Sequence, residues 1–305
     1  MSGSRKLVAM ACDEEYLYPW AVSLVSLAQQ SSRPFELWFG LTQDWPTRLR
    51  PESLERLQSL GASLGIGLRL VETPLSVKDL PSEMHISPTA FIKPALFDLC
   101  PADATMVWLD ADTTVRGDMH DLVALAAGHA VSGVHEPNAT FESSWPAGGS
   151  NWYVNTGVVV VDGFQWRELF QGTWMPLMSE YTKHQFKFLD QDVLNAVVRD
   201  RWNLLPETYN FRPSHAKVWG NPCIVHYAGW WKPWMRTKRQ LRKIEGVWRV
   251  AFHEYINHET AFARHVKQNL SRAERDFWSL THRRLRGAAS WKAHLHYVKG
   301  VLGQV

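Results

Sequence analysis

The sequence has little cysteine, no long apolar run and little net charge. Its three cysteines, Cys12, Cys100 and Cys223, are odd in number and far apart, which argues against a disulfide framework and provides no metal-ligand spacing. No stretch approaches the roughly 20 apolar residues that span a bilayer, so no transmembrane helix is predicted. The five apolar residues after Lys6 are too few for a signal peptide. We therefore expect a cytoplasmic protein.

The chain has 305 residues, 45% of them hydrophobic and 21% charged, which excludes a largely disordered protein and favours one large domain with an appendage. Its net charge of +3 conceals an uneven distribution. Residues 235–305 contain 15 Lys and Arg against 5 Asp and Glu, whereas residues 1–234 contain 18 against 25. We therefore predict an acidic folded body over 1–234 and a basic, aromatic-rich helical region over 235–305.

Apolar segments of strand length alternate with helical patterns through the body, which predicts an α/β sheet. The predicted strands are Leu7–Ala11, Phe35–Leu41, Leu68–Val71, Met106–Leu109, Val158–Val161 and Ile224–Tyr227. The predicted helices are Ala21–Gln29, one that begins at Pro51, Pro88–Leu99 with an interruption at Pro94, and Asp192–Arg199. In the basic region, residues 247–256, 261–270 and 277–285 have the spacing of amphipathic helices.

Two aspartates, Asp110 and Asp112, directly follow a predicted strand. In an open α/β sheet, ligands bind beyond the carboxyl ends of the strands, so both carboxylates are expected at a crevice. Carboxylates this close repel each other unless a cation lies between them, and a divalent metal is the usual one. The alternative is a solvated turn that caps the next helix. A second Asp-x-Asp, at Asp190 and Asp192, indicates that chance also produces the pattern.

Two kinds of chemistry use an acidic pair in this position. A haloacid-dehalogenase-type phosphatase has a strand-ending Asp-x-Asp-x-Thr motif, which Asp110 to Val115 resembles. That motif opens such enzymes, however, whereas about a third of this chain precedes it. A nucleotide-sugar glycosyltransferase uses the pair to hold Mn²⁺ or Mg²⁺ on a diphosphate and to stabilise the leaving nucleoside diphosphate.

A histidine, a glycine and a lysine lie at the end of the last predicted strand, at His226, Gly229 and Lys232. Imidazole completes a cation site made of two aspartates and a phosphate, and this mixed ligand set suits Mn²⁺ better than Mg²⁺. A glycine lets the backbone approach a diphosphate closely, and a lysine meets a phosphate as a point charge. A single histidine at a strand end is more often structural, so the combination with the acidic pair is what favours a metal site.

Five segments resemble, in order, the motifs of glycosyltransferase family 8, the retaining family that includes bacterial lipopolysaccharide galactosyl- and glucosyltransferases and glycogenin. They are LVAMACDEEY, WLDADTTVRGDM, WYVNTGVVVVD, LDQDVLN and HYAGWWKPW. The resemblance implies the A-type glycosyltransferase fold, a single Rossmann-like nucleotide-sugar domain around a mixed central sheet. It also implies transfer of a hexose, with retention, from a UDP-sugar donor to an acceptor hydroxyl of a glycan such as lipopolysaccharide or another cell-surface polysaccharide.

The resemblance assigns roles to the matching residues. The implied Mn²⁺ ligands, with Mg²⁺ as the alternative ion, are Asp110, Asp112 and His226. Asp13 would bind the uracil, and Asp112 would also lie near the ribose. Lys93, at a position that is commonly Arg, would meet the donor. Gly229 and Lys232 would hold the diphosphate.

The residues that would surround the transferred sugar are Asn155, Asp190 and Gln191, the last two as catalytic candidates. Glu15 stands where some relatives have Asn, which leaves its contact with the ribose or base in doubt, and Thr156 replaces a usual Ala with no expected consequence. Each motif also has a simpler explanation. Asp190 could cap a helix, Asn155 could form a turn, and Asp13 could be a loop acid.

The basic region of 235–305 has aromatic side chains among its charges: Trp248, Phe252, Phe262, Phe277, Trp278 and Trp291. Such composition suits the headgroup layer of an anionic membrane. The alternative is a helical subdomain that packs on the sheet with solvated charges, while nucleic acid is not predicted as a partner because no nucleic-acid module accompanies the charge. In this family such regions often dock enzymes at membranes, so we favour a peripheral position on the inner membrane face.

The preferred function is therefore a Mn²⁺-dependent hexosyltransferase that uses a UDP-hexose and a glycan or lipid-linked acceptor. One alternative is a catalytically silent protein that binds a sugar nucleotide or glycan. The phosphatase is the other alternative. The motifs leave open the sugar, the linkage, the oligomeric state, and whether retention uses a covalent intermediate or front-face attack.

Overall fold

The computed structural model describes residues 5–43, 49–76, 88–137, 152–179, 188, 190–229, 232–235 and 244–286. Its main sheet has seven strands in the order β3-β2-β1-β4-β7-β6-β8. The strands are β1 Arg5–Met10, β2 Glu36–Leu41, β3 Gly67–Glu72, β4 Ala104–Leu109, β6 Val131–His135, β7 Val154–Asp162 and β8 Asn203–Leu204. A separate antiparallel pair consists of β5 Thr113–Val115 and β9 Ile224–His226.

The sheet is mixed, as the A-type fold requires. Strands β3, β2, β1 and β4 run parallel, β7 is antiparallel to both β4 and β6, and β8 is parallel to β6. Alternate residues of the central strands enter two different apolar clusters; Val107 and Leu109 of β4 enter one, and Met106 and Trp108 the other. Burial on both faces explains why these strands are continuous apolar runs in the sequence.

Helices cover the sheet and connect its strands. They are α1 Leu17–Gln30, α2 Pro51–Ser63, α3 Ile92–Asp98, α4 Met119–Ala126, α5 Gly163–Phe170, α6 Trp174–Ser179, α7 Asp190–Val198 and α8 Gly246–Asn269. A further helix covers 272–286. The strands and helices predicted for the body are present, with ends shifted by a few residues, but the short strands β5, β6 and β8 were missed.

Two predictions about helices were wrong. Pro94 does not interrupt α3, because it is the third residue of the helix, where a backbone N–H has no partner inside the helix. A 3₁₀ turn at Pro88–Phe91 precedes it. In the basic region, the two segments expected at 247–256 and 261–270 form one continuous helix, α8.

The basic region packs on the body. Helix α8 lies against α1, where Phe262 makes an edge-on contact with Tyr18 at 5.3 Å between ring centroids. Phe252, Phe277 and Trp278 are also buried in the apolar cluster that contains α1. The aromatic side chains expected at a membrane are thus mostly in the protein core. Trp291 lies outside the described residues.

The exposed side of this region carries the charge. Its exposed arginines and lysine in the described residues are Arg249, Arg264, Lys267, Arg272, Arg275, Arg283 and Arg284. None of the described helices is both long and apolar enough to cross a bilayer. The division of the chain at residue 234 stays a prediction, since one apolar cluster includes residues from both sides of it.

Candidate active site

One cavity of about 500 Å³ contains every predicted site residue. They are Asp13, Lys93, Asp110, Asp112, Asn155, Asp190, Gln191, His226, Gly229 and Lys232. The loops that follow β1, β4 and β9 meet here, at the carboxyl ends of those strands. Glu15, whose contact was in doubt, is exposed and outside the cavity lining.

The acidic pair occupies a turn whose backbone is held on both sides. The N–H of Asp110 donates to the carbonyl of Gly157 on β7 at 2.9 Å, and the carbonyl of Asp112 accepts from the N–H of Tyr227 at 2.9 Å. Thr113 Oγ1 closes the turn onto the carbonyl of Asp110 at 2.9 Å. This is a fixed connection between β4 and β5 rather than the solvated turn that was the simpler explanation.

His226 meets this turn because β9 pairs with β5, with Thr113 directly opposite His226. Its Nε2 lies 3.3 Å from Asp112 Oδ1 and 3.7 Å from Asp110 Oδ2. One ligand atom from each residue lies within 4.8 Å of the other two. Two ligands that each lie about 2.1 Å from one metal ion in octahedral geometry are about 3.0 Å apart when adjacent and about 4.2 Å apart when opposite. The three side chains therefore fit a single divalent cation.

Two buried lysines hold the carboxylates in the orientation that such a site needs. Lys93 Nζ lies 3.0 Å from Asp110 Oδ1, which also accepts from Trp108 Nε1 at 2.8 Å. Lys232 pairs with Asp112 Oδ2 and donates to the carbonyl of Tyr227 at 2.6 Å. Each carboxylate therefore uses one oxygen for a lysine and turns the other toward His226, so a cation could bind without breaking either ion pair.

Burial and charge together set the protonation of these groups. Burial raises the pKa of Asp112, but the adjacent Lys232 and His226 outweigh that effect and hold the pKa below its ordinary value. Burial lowers the pKa of Lys93, but Asp110 and Asp190 raise it to about 12. Asp190 has a raised pKa because it is buried and shares this single lysine with Asp110. These shifts favour a charged Lys93 and an ionised Asp112.

The sugar-side residues are linked through Thr156 on β7. Its hydroxyl donates to Asp190 Oδ2 at 3.1 Å and accepts from Lys93 Nζ at 3.2 Å, while its N–H donates to Gln191 Oε1 at 3.2 Å. The expectation that Thr156 has no consequence was therefore wrong, since alanine would supply only the backbone N–H. Asp190 is itself the first residue of α7, and Asp192 rather than Asp190 accepts the N–H of Phe188 ahead of the helix.

A β-bulge places Asn155 and its neighbours beside the acidic pair. Opposite Gly133 and Val134 of β6, the pairing on β7 jumps from Val159 to Asn155, which leaves 156–158 without partners on β6. Bulges turn side chains out of the regular strand alternation and are common next to active sites. Asn155 Oδ1 accepts from the N–H of Gly157 at 3.1 Å, which is the contact of an Asx turn, so Asn155 does form a local turn, at the start of β7.

The loop after β1 contributes a further part of the cavity lining. Asp13 Oδ1 accepts from the N–H groups of Glu15 and Tyr16, so this carboxylate caps a 3₁₀ turn as well as lining the cavity. Gly229 has φ of 79°, a conformation that side chains disfavour, which explains the glycine. Trp248, from the basic region, also lines the cavity.

Sequence reasoning missed three buried polar residues of this site. Arg212 pairs with Glu136, which also accepts from Asn155 Nδ2 at 3.3 Å. Asn210 donates to Asn155 Oδ1 at 2.9 Å and contacts His226. The available signal was the alternation Asn210-Phe211-Arg212, because Phe211 pairs with Val225 in extended conformation and enters the core while its neighbours are on the other face.

Comparison with known proteins identifies relatives of this chain. The family model described as Glycosyl transferase family 8 matches residues 7–238. General stress protein A of Bacillus subtilis is 25% identical over 218 residues, which cover 64% of this chain and 76% of that protein. A lipopolysaccharide 1,2-glucosyltransferase of Escherichia coli is 24% identical over 252 residues, which cover 74% and 72%.

A solved structure with the same fold is galactosyltransferase LgtC in complex with donor and acceptor sugar analogues. It superposes with a TM-score of 0.63 over 84% of this chain and 95% of LgtC, at 16% sequence identity. This similarity confirms the predicted A-type fold with its mixed sheet. The family match favours the glycosyltransferase over the phosphatase as the explanation of the Asp-x-Asp motif.

Proposed function

The chain belongs to glycosyltransferase family 8, and from this premise we propose that it transfers a hexose from a UDP-sugar to a hydroxyl of a glycan, with retention and with Mn²⁺ as the preferred cation. The observation that carries the proposal is the cluster of Asp110, Asp112 and His226 in the cavity that also holds Lys232 and Lys93. A divalent cation bound there would neutralise charge on the leaving diphosphate. Mg²⁺ is the alternative ion.

The chain's own residues would complete this stabilisation. Lys232 is buried and its pKa is raised, because the pull of Asp112 outweighs the effect of burial, so it stays charged throughout the physiological range. We assign Lys232 and the left-handed backbone at Gly229 to the diphosphate. Asp13 would accept a hydrogen bond from the uracil. The cation and the charge of Lys232 would act where negative charge develops on the departing UDP, in place of a strong general acid.

The sugar would lie beside Asn155, Asp190 and Gln191. Asp190 is 4% exposed and is held by Lys93 at 2.7 Å. Retention would arise either from a covalent intermediate on Asp190 or Gln191 or from attack on the same face, guided by the leaving phosphate. Before reaction, Asp190 keeps Lys93 beside Asp110, so it couples the sugar side of the cavity to the metal side.

The test of the proposed function is a donor screen. Incubation with UDP-glucose or UDP-galactose and Mn²⁺ is expected to release UDP slowly into water and faster with a suitable glycan acceptor. EDTA is expected to abolish release, and Mg²⁺ to restore less of it than Mn²⁺. UDP binding without any turnover would instead support the silent binding protein. Release of phosphate from phosphomonoesters without affinity for UDP would support the phosphatase.

We propose lipopolysaccharide or another cell-surface polysaccharide as the acceptor class, because one relative carries that substrate in its name. Such acceptors are lipid-linked, so the proposed location is the cytoplasm at the inner face of the membrane. The exposed basic side of α8 and of the helix at 272–286 would approach anionic lipid. Since the described aromatic residues are mostly buried, the attraction would be electrostatic rather than by insertion.

Reversing three of these charges is expected to abolish lipid binding. Each Lys or Arg near an anionic surface contributes about 1 kcal/mol, so Arg264→Glu, Lys267→Glu and Arg272→Glu together should weaken binding by more than about 100-fold. Co-sedimentation with vesicles that contain phosphatidylglycerol measures this. Neutral phosphatidylcholine vesicles are the lipid control, and equal binding to both kinds of vesicle would contradict the docking proposal.

A further inference from the structure

A chain of buried hydrogen bonds lies behind His226, on the side away from the acidic pair. Asn210, fully buried at the end of the 3₁₀ turn Glu207–Tyr209, has its Oδ1 2.9 Å from His226 Nδ1. Its Nδ2 donates to Asn155 twice, at 3.2 Å to the backbone carbonyl and at 2.9 Å to Oδ1. Asn210 therefore connects the histidine to the sugar-side residue Asn155.

The orientation of the Asn210 amide is determined by groups that cannot be reversed. The backbone carbonyl of Asn155 can only accept, so the Asn210 atom beside it must be the NH₂ group. Asn155 Oδ1 is itself fixed, because the N–H of Gly157 donates to it and Asn155 Nδ2 donates to Glu136. A reversed Asn210 amide would bring its oxygen against two other oxygens. The oxygen of Asn210 must therefore be the atom that contacts His226.

This orientation decides where the proton of the imidazole is. An amide oxygen only accepts, so His226 Nδ1 must carry a hydrogen. A neutral imidazole then has its lone pair on Nε2, the atom that lies 3.3 Å from Asp112 and 3.7 Å from Asp110. Metal-binding histidines usually donate their other N–H to an oxygen in this manner, which fixes both tautomer and ring orientation.

We propose that Asn210 is a positioning residue that holds His226 in the Nδ1–H tautomer and presents Nε2 to the cation. The part of this inference that concerns the cation rests on the proposed function, whereas the part that concerns the tautomer does not. Because Asn210 also bonds to Asn155, one buried amide fixes a residue on the metal side and a residue on the sugar side. Its role requires no contact with the donor, the acceptor or the ion.

The first experiment measures the tautomer in the metal-free protein, by long-range ¹H–¹⁵N correlation with ¹⁵N-labelled histidine. The signals of His226 are assigned by their loss in His226→Gln. We expect a protonated Nδ1 in the wild type, with or without a second proton on Nε2 toward Asp112, and a bare Nδ1 with a protonated Nε2 in Asn210→Leu. A bare Nδ1 in the wild type would overturn the proposal, even if the leucine variant does not fold.

The second experiment measures Mn²⁺ binding by calorimetry, without substrate. Loss of an outer hydrogen-bond partner typically weakens a metal site by about 10–100-fold, which is the loss expected for Asn210→Leu. Asn210→Asp keeps an oxygen for the Nδ1–H but loses the donor to Asn155, so we expect it to recover only part of that loss. Asn203→Leu, at the half-buried edge strand β8, is the matched control and should bind as the wild type does.

The outcomes separate the two proposals. Equal Mn²⁺ affinity of Asn210→Leu and the wild type would overturn the role of Asn210. If the wild type binds no Mn²⁺ at all, the proposed function fails, while the tautomer measurement still decides the inference about Asn210.

Discussion

An Asp110→Asn variant is expected to lose at least about 1,000-fold in UDP-hexose turnover, because a neutral amide cannot balance the charge of a divalent cation beside a developing diphosphate. The substitution keeps the size of the side chain and retains an oxygen for Trp108 and Lys93. Mn²⁺ affinity should fall by more than about 100-fold, because removing a direct ligand has a larger effect than removing the hydrogen-bond partner of a ligand. Turnover is measured as UDP release, and affinity by calorimetry.

The fold of this variant should be preserved, which makes the prediction interpretable. Lys93 remains paired with Asp190 at 2.7 Å, so no buried charge is left alone. We expect its free energy of unfolding to lie within about 1 kcal/mol of the wild type. Asp103→Asn, an exposed position just before the same strand, is the matched control. Unchanged turnover in Asp110→Asn would refute the metal assignment.

The site could be located from the sequence because its residues follow strands whose order is constrained. Buried strands appear as apolar runs, and polar residues directly after them collect at one edge of the sheet. Asp110, Asp112 and His226 obey this rule. Their separation of more than 110 residues along the chain is bridged by pairing between β5 and β9. The strand at β9 was predicted, but the three residues of β5 carry too little pattern to predict, so the pairing could not be foreseen.

The partners of these residues could not be predicted, because their roles depend on contacts between distant segments. Lys93 lies on the first turn of α3, and nothing nearby in the sequence indicates that it bridges Asp110 and Asp190. Asn210 and Arg212 flank Phe211 in a segment with a single backbone bridge to β9, and their polar-apolar-polar alternation is too short to identify them from the sequence. Such residues can be recognised only when the groups with which they form hydrogen bonds or ion pairs are known to be buried.

The basic region illustrates a limit of composition as a guide. Its aromatic residues recur at helical spacing, which is equally expected of a membrane-facing helix and of a helix packed on a core. In the structure Tyr255 packs edge-on to Tyr227, the residue next to His226, with 5.4 Å between ring centroids. Tyr227 also donates to the carbonyl of Ala251 on α8. The helix therefore supports the strand that carries His226, whatever its outer surface binds.

Gly157→Ala is expected to disable the site, although Gly157 itself is not among the residues that line the cavity. A Cβ at Gly157 would overlap the imidazole of His226, with Cε1 and Nδ1 nearest and Nε2 only 2.9 Å away. The ring cannot retreat, because Asn210 lies 2.9 Å from its Nδ1 and β9 is paired with β5. The histidine must therefore leave the orientation in which Nε2 faces Asp110 and Asp112. We expect Mn²⁺ affinity and UDP release both to fall by more than about 100-fold.

The variant should still fold, since overpacking of this kind costs about 1–3 kcal/mol, which is less than the roughly 5–15 kcal/mol that stabilises a typical domain. Gly67→Ala is the matched control, because a Cβ at Gly67 on β3 has no neighbour within 4 Å. Unfolding in urea separates lost stability from lost binding. If Gly157→Ala bound Mn²⁺ as tightly as Gly67→Ala does, the imidazole of His226 would have to be dispensable for the cation, and the three-residue site would reduce to the two aspartates.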